Sequence, residues 1–160
     1  MTVNDRTGVR YAETPVQKAS LVVGIVFLIV GIAGFIPGLT TNVDQMQFAG
    51  HESGALLLGV FQVSILHNVV HLLFGVAGLA LARTFAGSKN FLIWGGAVYA
   101  LLWLYGLIVA EDSAANFVPM NDADDWLHLV LAVGMIALGL LLGRGTVGAG
   151  RRGVTDRRRA

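Results

Sequence analysis

Three histidines lie inside runs that are otherwise apolar: His67, His71 and His128. His67 and His71 are four apart, a spacing that puts both imidazoles on one face of a helix. Such a pair can place two nitrogens on one metal ion, and His128 from another segment would supply a third. An all-imidazole, thiolate-free donor set suits zinc, copper(II), iron or nickel. A second chemistry is haem b with two axial imidazoles. Axial ligands approach from opposite faces, so this needs His67 with His128 rather than His67 with His71. A third is proton or ion coupling, since imidazole exchanges its proton near neutral pH. The fourth is structural: hydrogen bonds from these rings and Asn68 across helices, each worth about 0.6 kcal/mol in a membrane. Ser64, His67, Asn68 and His71 follow a three-and-four spacing, so they form one polar stripe that must point inward rather than at lipid.

A repeat ties His67 to His128. The segment His67–Arg83 aligns without gaps to His128–Arg144, with the histidine, a valine, a glycine, two leucines and the closing arginine in common. Each histidine lies sixteen residues before its arginine. If both arginines reach the same interface, both imidazoles sit about 24 Å above it.

The elements that must position these residues are membrane helices. The chain has 160 residues, 55% of them hydrophobic and 13% charged, which is too apolar for an ordinary soluble domain. Four runs, 19–36, 55–82, 91–110 and 126–143, contain no Lys, Arg, Asp or Glu, and each is long enough to cross a ~30 Å hydrocarbon layer. The first is read as a retained helix rather than a leader, because Pro37-Gly38 follows it with no small-x-small cleavage pattern. The expected fold is all-α, a polytopic bundle of four spans packed as two hairpins. The similarity of the second and fourth spans is compatible with a parallel internal duplication. Residues 1–18 form a short leading segment, 19–143 the membrane domain, and 144–160 a basic, disordered tail. Glycines along the spans allow close helix packing.

All eleven Lys and Arg fall before the first run, between the second and third, or after the fourth. The positive-inside rule then places both termini in the cytoplasm of a multi-pass protein of the bacterial cytoplasmic membrane. The cluster Arg151, Arg152, Arg157, Arg158 and Arg159 is expected to bind anionic lipid headgroups. A net charge of +1 offers no field to steer nucleic acid. The absence of cysteine excludes disulfides and thiolate metal sites. Nine Arg against two Lys suit a high-GC genome.

Weaker candidates lie between the runs. His51 and Glu52 precede the second, and Asp122, Asp124 and Asp125 precede the fourth. The acids lack the spacing and glycine of a calcium loop and are read as a solvated helix start, where carboxylates are favourable. No phosphate loop, nucleophile elbow, zinc-protease or dinucleotide motif occurs, so a non-enzymatic role is expected: an accessory or scaffold subunit, or a binder of a metal ion or haem. The rival is a small transporter or proton-coupled carrier. Four tight helices are too few for a pathway, so that rival requires a homo-oligomer, as the accessory reading requires a membrane-protein partner.

The segments Leu66-His67-Asn68-Val69-Val70-His71-Leu72-Leu73-Phe74-Gly75-Val76-Ala77-Gly78 and Asp124-Asp125-Trp126-Leu127-His128 resemble the actinobacterial membrane proteins grouped as domain of unknown function 4383. The resemblance runs from about Val16 to Gly143. It implies a four-helix integral membrane protein from a high-GC Gram-positive bacterium, and no activity.

Overall fold

The computed structural model describes residues 11–144. The basic cluster from Arg151 to Arg159, the rest of the tail beyond Arg144, and Arg6 and Arg10 lie outside the described residues. The architecture is four helices and a very small sheet: α1 (Pro15–Ala33), β1 (Thr40–Thr41), β2 (Leu56–Leu57), β3 (Phe61–Gln62), α2 (Ile65–Leu81), α3 (Phe85–Ile108) and α4 (Asp122–Leu142).

Local chemistry sets the helix starts. Thr14 caps α1 in a reciprocal capping box with Gln17, and Pro15 occupies the first turn, where its missing N–H is no loss. Thr84 caps α3, and Asn121 caps α4 in a second capping box with Asp124. Ser64 Oγ accepts the His67 N–H at 3.1 Å and so begins α2.

That last cap corrects an expectation. Residues 55–63 are apolar enough to read as the start of a span, yet they fold as β2 and β3, and the helix begins only at Ile65. The turn between the strands has Leu58 at φ +54° and Gly59 at φ +71°, conformations a helix does not contain. β1 pairs antiparallel with β2 (Thr40 opposite Leu57), and β2 with β3 (Leu57 opposite Phe61). α3 begins six residues earlier than the hydropathy run, so Lys89 lies within its second turn. Three helices, α1, α3 and α4, are long and apolar enough to cross a membrane, while α2 is an apolar helix of 17 residues.

The helices pack mainly as α1 on α2 and α3 on α4, and the two hairpins meet most closely through α1 and α3. Glycines make the pairings close. A β-carbon on Gly78 would stand 2.8 Å from the Gly24 Cα, and one on Gly96 2.9 Å from the Ala132 carbonyl oxygen. Side chains such as Val22, Ile29, Leu73, Trp94, Leu101 and Val130 are more than half exposed. A surface this apolar on the helices is stable against hydrocarbon, not water.

The sheet and the α3–α4 connection close one end of the bundle. They hold each other directly: Gly50 N donates to the Phe117 carbonyl at 2.8 Å, Asn121 Nδ2 to the Val60 carbonyl at 2.8 Å, and Gln62 N to Asp124 Oδ2 at 2.9 Å. At the other end α2 and α3 are joined by a tight turn through Arg83.

Candidate functional site

Beneath the closed end the three span histidines converge. His67 and His71, one turn apart on α2, have ring centroids 4.6 Å apart. His128 of α4 faces His67 at 6.1 Å. Tyr99 of α3 lies 5.2 Å from His128, and Phe27 of α1 stacks on His71 at 5.6 Å with 28° between the planes. All four helices therefore contribute a ring. The three imidazoles are buried, His128 almost completely.

Each of the three has a buried Nδ1 with no hydrogen-bond partner among the described residues. A buried polar atom left unpaired costs about 1–3 kcal/mol, and native interiors contain few of them. Three on neighbouring rings form a group of polar atoms available to a ligand. The backbone at Gln62 and Pro119 lies beside His67 and belongs to the closing loops.

Two cavities flank the imidazoles. One, of about 150 Å³, lies between α1, α4 and the sheet, and its lining includes Phe27, Phe61, Asp124 and Leu131. The other, of about 290 Å³, lies between α2 and α3 under the α3–α4 connection, and its lining includes Phe74, Tyr99, Leu102 and Phe117. His67, His71 and His128 border both. Toward the opposite end the centre is closed by Phe27, Phe74 and Tyr99, whose centroids lie 5.5–5.6 Å apart.

This geometry bears on each chemistry. Among the described residues no three His, Asp or Glu side chains stand in an arrangement that holds a metal ion. Metal coordination would therefore need the rings to turn. His67 and His128 come from separate helices with ring centroids 6.1 Å apart, but the cavities beside them, about 150 and 290 Å³, are at or below the ~300 Å³ lower end of small-ligand pockets. A porphyrin does not fit without parting the hairpins.

The remaining sequence candidates are dispersed. Ser64 is fully buried; its hydroxyl caps α2, and the residue also lines the larger cavity with His67 and His71. Asn68 sits beside the cluster with its amide against Gly34 and donates to Met46 Sδ at 3.8 Å. Tyr99 of α3 has His128 of α4 as a close neighbour. His51 lies in the closing loop, where its carbonyl accepts from Gln62 Nε2 at 3.0 Å, and Glu52 is exposed beside it. Asp122, Asp124 and Asp125 do occupy the first turn of α4. Asp124, however, is buried rather than solvated, because its Oδ2 accepts from both Gln62 N and Asn121 N. Phe27 and Phe74 are parts of the centre that the sequence did not single out. They are apolar residues in apolar runs and carry no signal of their own.

The profile of a family described as a domain of unknown function, DUF4383, matches residues 17–141, a stretch that includes every helix core and the whole histidine cluster. No curated protein and no solved structure matches the chain. With most of its length covered by that profile, the chain belongs to the DUF4383 family.

Proposed function

We propose that this chain is a non-enzymatic, membrane-embedded ligand-binding protein whose site is the cluster His67, His71 and His128. The observation that carries the reading is the set of three neighbouring Nδ1 atoms, buried and unpartnered, bordering two cavities. His67 has hydrogen-bonding backbone neighbours at Gln62 and Pro119, but a purely structural polar centre would leave few atoms like the three Nδ1 unpaired. Catalysis is disfavoured because, among the described residues, no hydroxyl nucleophile or carboxylate is hydrogen-bonded to an imidazole in the cluster.

In this reading α2 completes a fourth crossing, with the sheet filling the depth that its 17 residues leave. Both termini face the cytoplasm, and the closed end faces outward. The charge pattern supports this orientation: Lys18, Arg83, Lys89 and Arg144 all lie at the end away from the sheet. The transporter alternative is weaker for a single chain. The glycine-mediated contact of Gly24 with Gly78 and the ring layer of Phe27, Phe74 and Tyr99 leave the inner half tightly packed.

The test is purification from the native membrane, followed by a visible spectrum, elemental analysis and mass spectrometry of an organic extract on one sample. A stoichiometric species present in the wild type and lost in His128→Leu supports the reading. A bare protein, with His128→Leu merely less stable, overturns it in favour of an architectural role.

A further inference from the structure

Phe74 borders more than the larger cavity beside the imidazoles. Below it on the same α2/α3 seam lies an apolar groove of about 500 Å³, bordered by Leu73, Ala77, Asn90 and Trp94. Phe74 and Val98 border both spaces, so the groove and the cavity are neighbours on one seam that share these two side chains as a wall. From His67 to Leu81, the last groove residue on α2, the seam covers fourteen residues, or about 21 Å of helix. Trp94 is 70% exposed at its rim. The seam thus carries a polar-headed cavity and, beside it, an apolar groove that opens along its side to the bilayer.

The chemistry of the seam restricts its occupant. The head end offers imidazole nitrogens, which donate or accept hydrogen bonds, and flat walls from Tyr99, Phe74 and Phe117. It offers no cation: the four Lys and Arg of the described residues lie at the opposite end of the helices. A phosphate or carboxylate head would enter without a counter-charge, which a low-dielectric site penalises strongly. A neutral, planar head with carbonyl or hydroxyl groups meets both the free nitrogens and the rings. The groove then accommodates an apolar tail.

We propose that the α2/α3 seam binds a membrane-borne lipophile of the quinone or phenol class, with its ring against His67, His128 and Tyr99 and its tail along the groove past Val98 and Trp94. This rests on the ligand-binding reading above and names its ligand class. Entry is lateral, from the bilayer between α2 and α3.

The experiment uses the full chain in nanodiscs of phosphatidylcholine, with Trp103→Phe and Trp126→Phe leaving Trp94 as the sole tryptophan. The probes are 2,3-dimethyl-1,4-naphthoquinone and the same ring carrying two isoprene units. Concentrations are expressed as mole fraction in the lipid, so that partitioning cancels. Expected is saturable quenching of Trp94, with half-saturation about tenfold lower for the tailed probe. Leu73→Phe, an exposed change that borders the groove and not the imidazole cavity, should remove that tenfold advantage and leave the tail-less probe unaffected. His128→Leu should weaken both probes. Linear quenching that is identical in every variant would mean bulk partitioning and overturn the proposal, as would saturation indifferent to the tail. If quinone fails while the native protein carries a metal or another extracted species that His128→Leu loses, the ligand-binding reading stands and this inference falls. If neither is found, both fall.

Discussion

The imidazoles of His67 and His128 face each other across the boundary between the two helical hairpins, with ring centroids 6.1 Å apart. Both lie one or two turns below the loops that close that end of the bundle, and each has an unpartnered Nδ1. The pair joins α2 to α4, two helices that otherwise have little direct contact. The boundary between the hairpins is thus polar near the closed end, and a layer of Phe27, Phe74 and Tyr99 lies beneath it.

The first prediction separates binding from architecture. His71 stacks on Phe27 and has no partner for its Nδ1. His71→Phe keeps a ring there and removes an unpaired polar atom, whose burial costs about 1–3 kcal/mol. Stability of the purified protein, measured by thermal or SDS unfolding in mixed micelles, should stay the same or rise, while ligand occupancy falls. A loss of more than about 2 kcal/mol would instead make the imidazole a structural bond.

Glycine substitutions should divide sharply by position. A β-carbon on Gly34 would overlap the Asn68 side-chain amide, whereas one on Gly134 meets nothing within 4 Å. Gly34→Ala should destabilise by about 1–3 kcal/mol, the usual range for overpacking. Gly134→Ala should be neutral or mildly stabilising, by up to about 1 kcal/mol, through helix propensity. The same unfolding assay reads both variants, and equal effects would contradict the packing described for α1 on α2.

Asp124 joins the sheet to α4 through two accepted bonds, from Gln62 N and Asn121 N. Asp124→Ala leaves both donors without that acceptor and should destabilise by about 1–2 kcal/mol, the range for a lost cap. It should also raise proteolytic cleavage around residues 58–60, the strand turn. Asp124→Asn keeps an acceptor oxygen and should lose less. Limited proteolysis with mass mapping decides whether the sheet loosens or the helix alone frays.

Orientation is directly measurable because the chain has no cysteine to interfere. Ala114→Cys lies exposed in the α3–α4 connection and Ala86→Cys lies exposed at the opposite end. An impermeant maleimide applied to intact cells should label Ala114→Cys and spare Ala86→Cys until the membrane is opened. The reverse pattern would put the histidine end in the cytoplasm.

The helical class, the approximate helix positions and the family were legible in the residues alone, and the three histidines stood out there as candidates. Hydropathy and three-and-four spacing are local properties of single segments, and a charged or imidazole side chain stands out wherever its neighbours are apolar. Local information failed at residues 55–63: an apolar stretch without a polar break reads the same as strand, turn or helix. Only pairing with Thr40–Thr41 and with the α4 start made it a sheet. The same limit applied to Asp124, one of whose donors, Gln62 N, lies sixty-two residues away in sequence, and to Ser64, whose cap role depends on where the helix begins. Whether His67 and His128 meet was likewise not written in either segment. It follows from how α1 packs on α2, α3 on α4, and one hairpin on the other, and those rotations are fixed by glycine contacts such as Gly24 with Gly78 and Gly96 with Ala132. Helix rotation is a property of the packed pair, so the convergence of the imidazoles comes from packing and not from either segment alone.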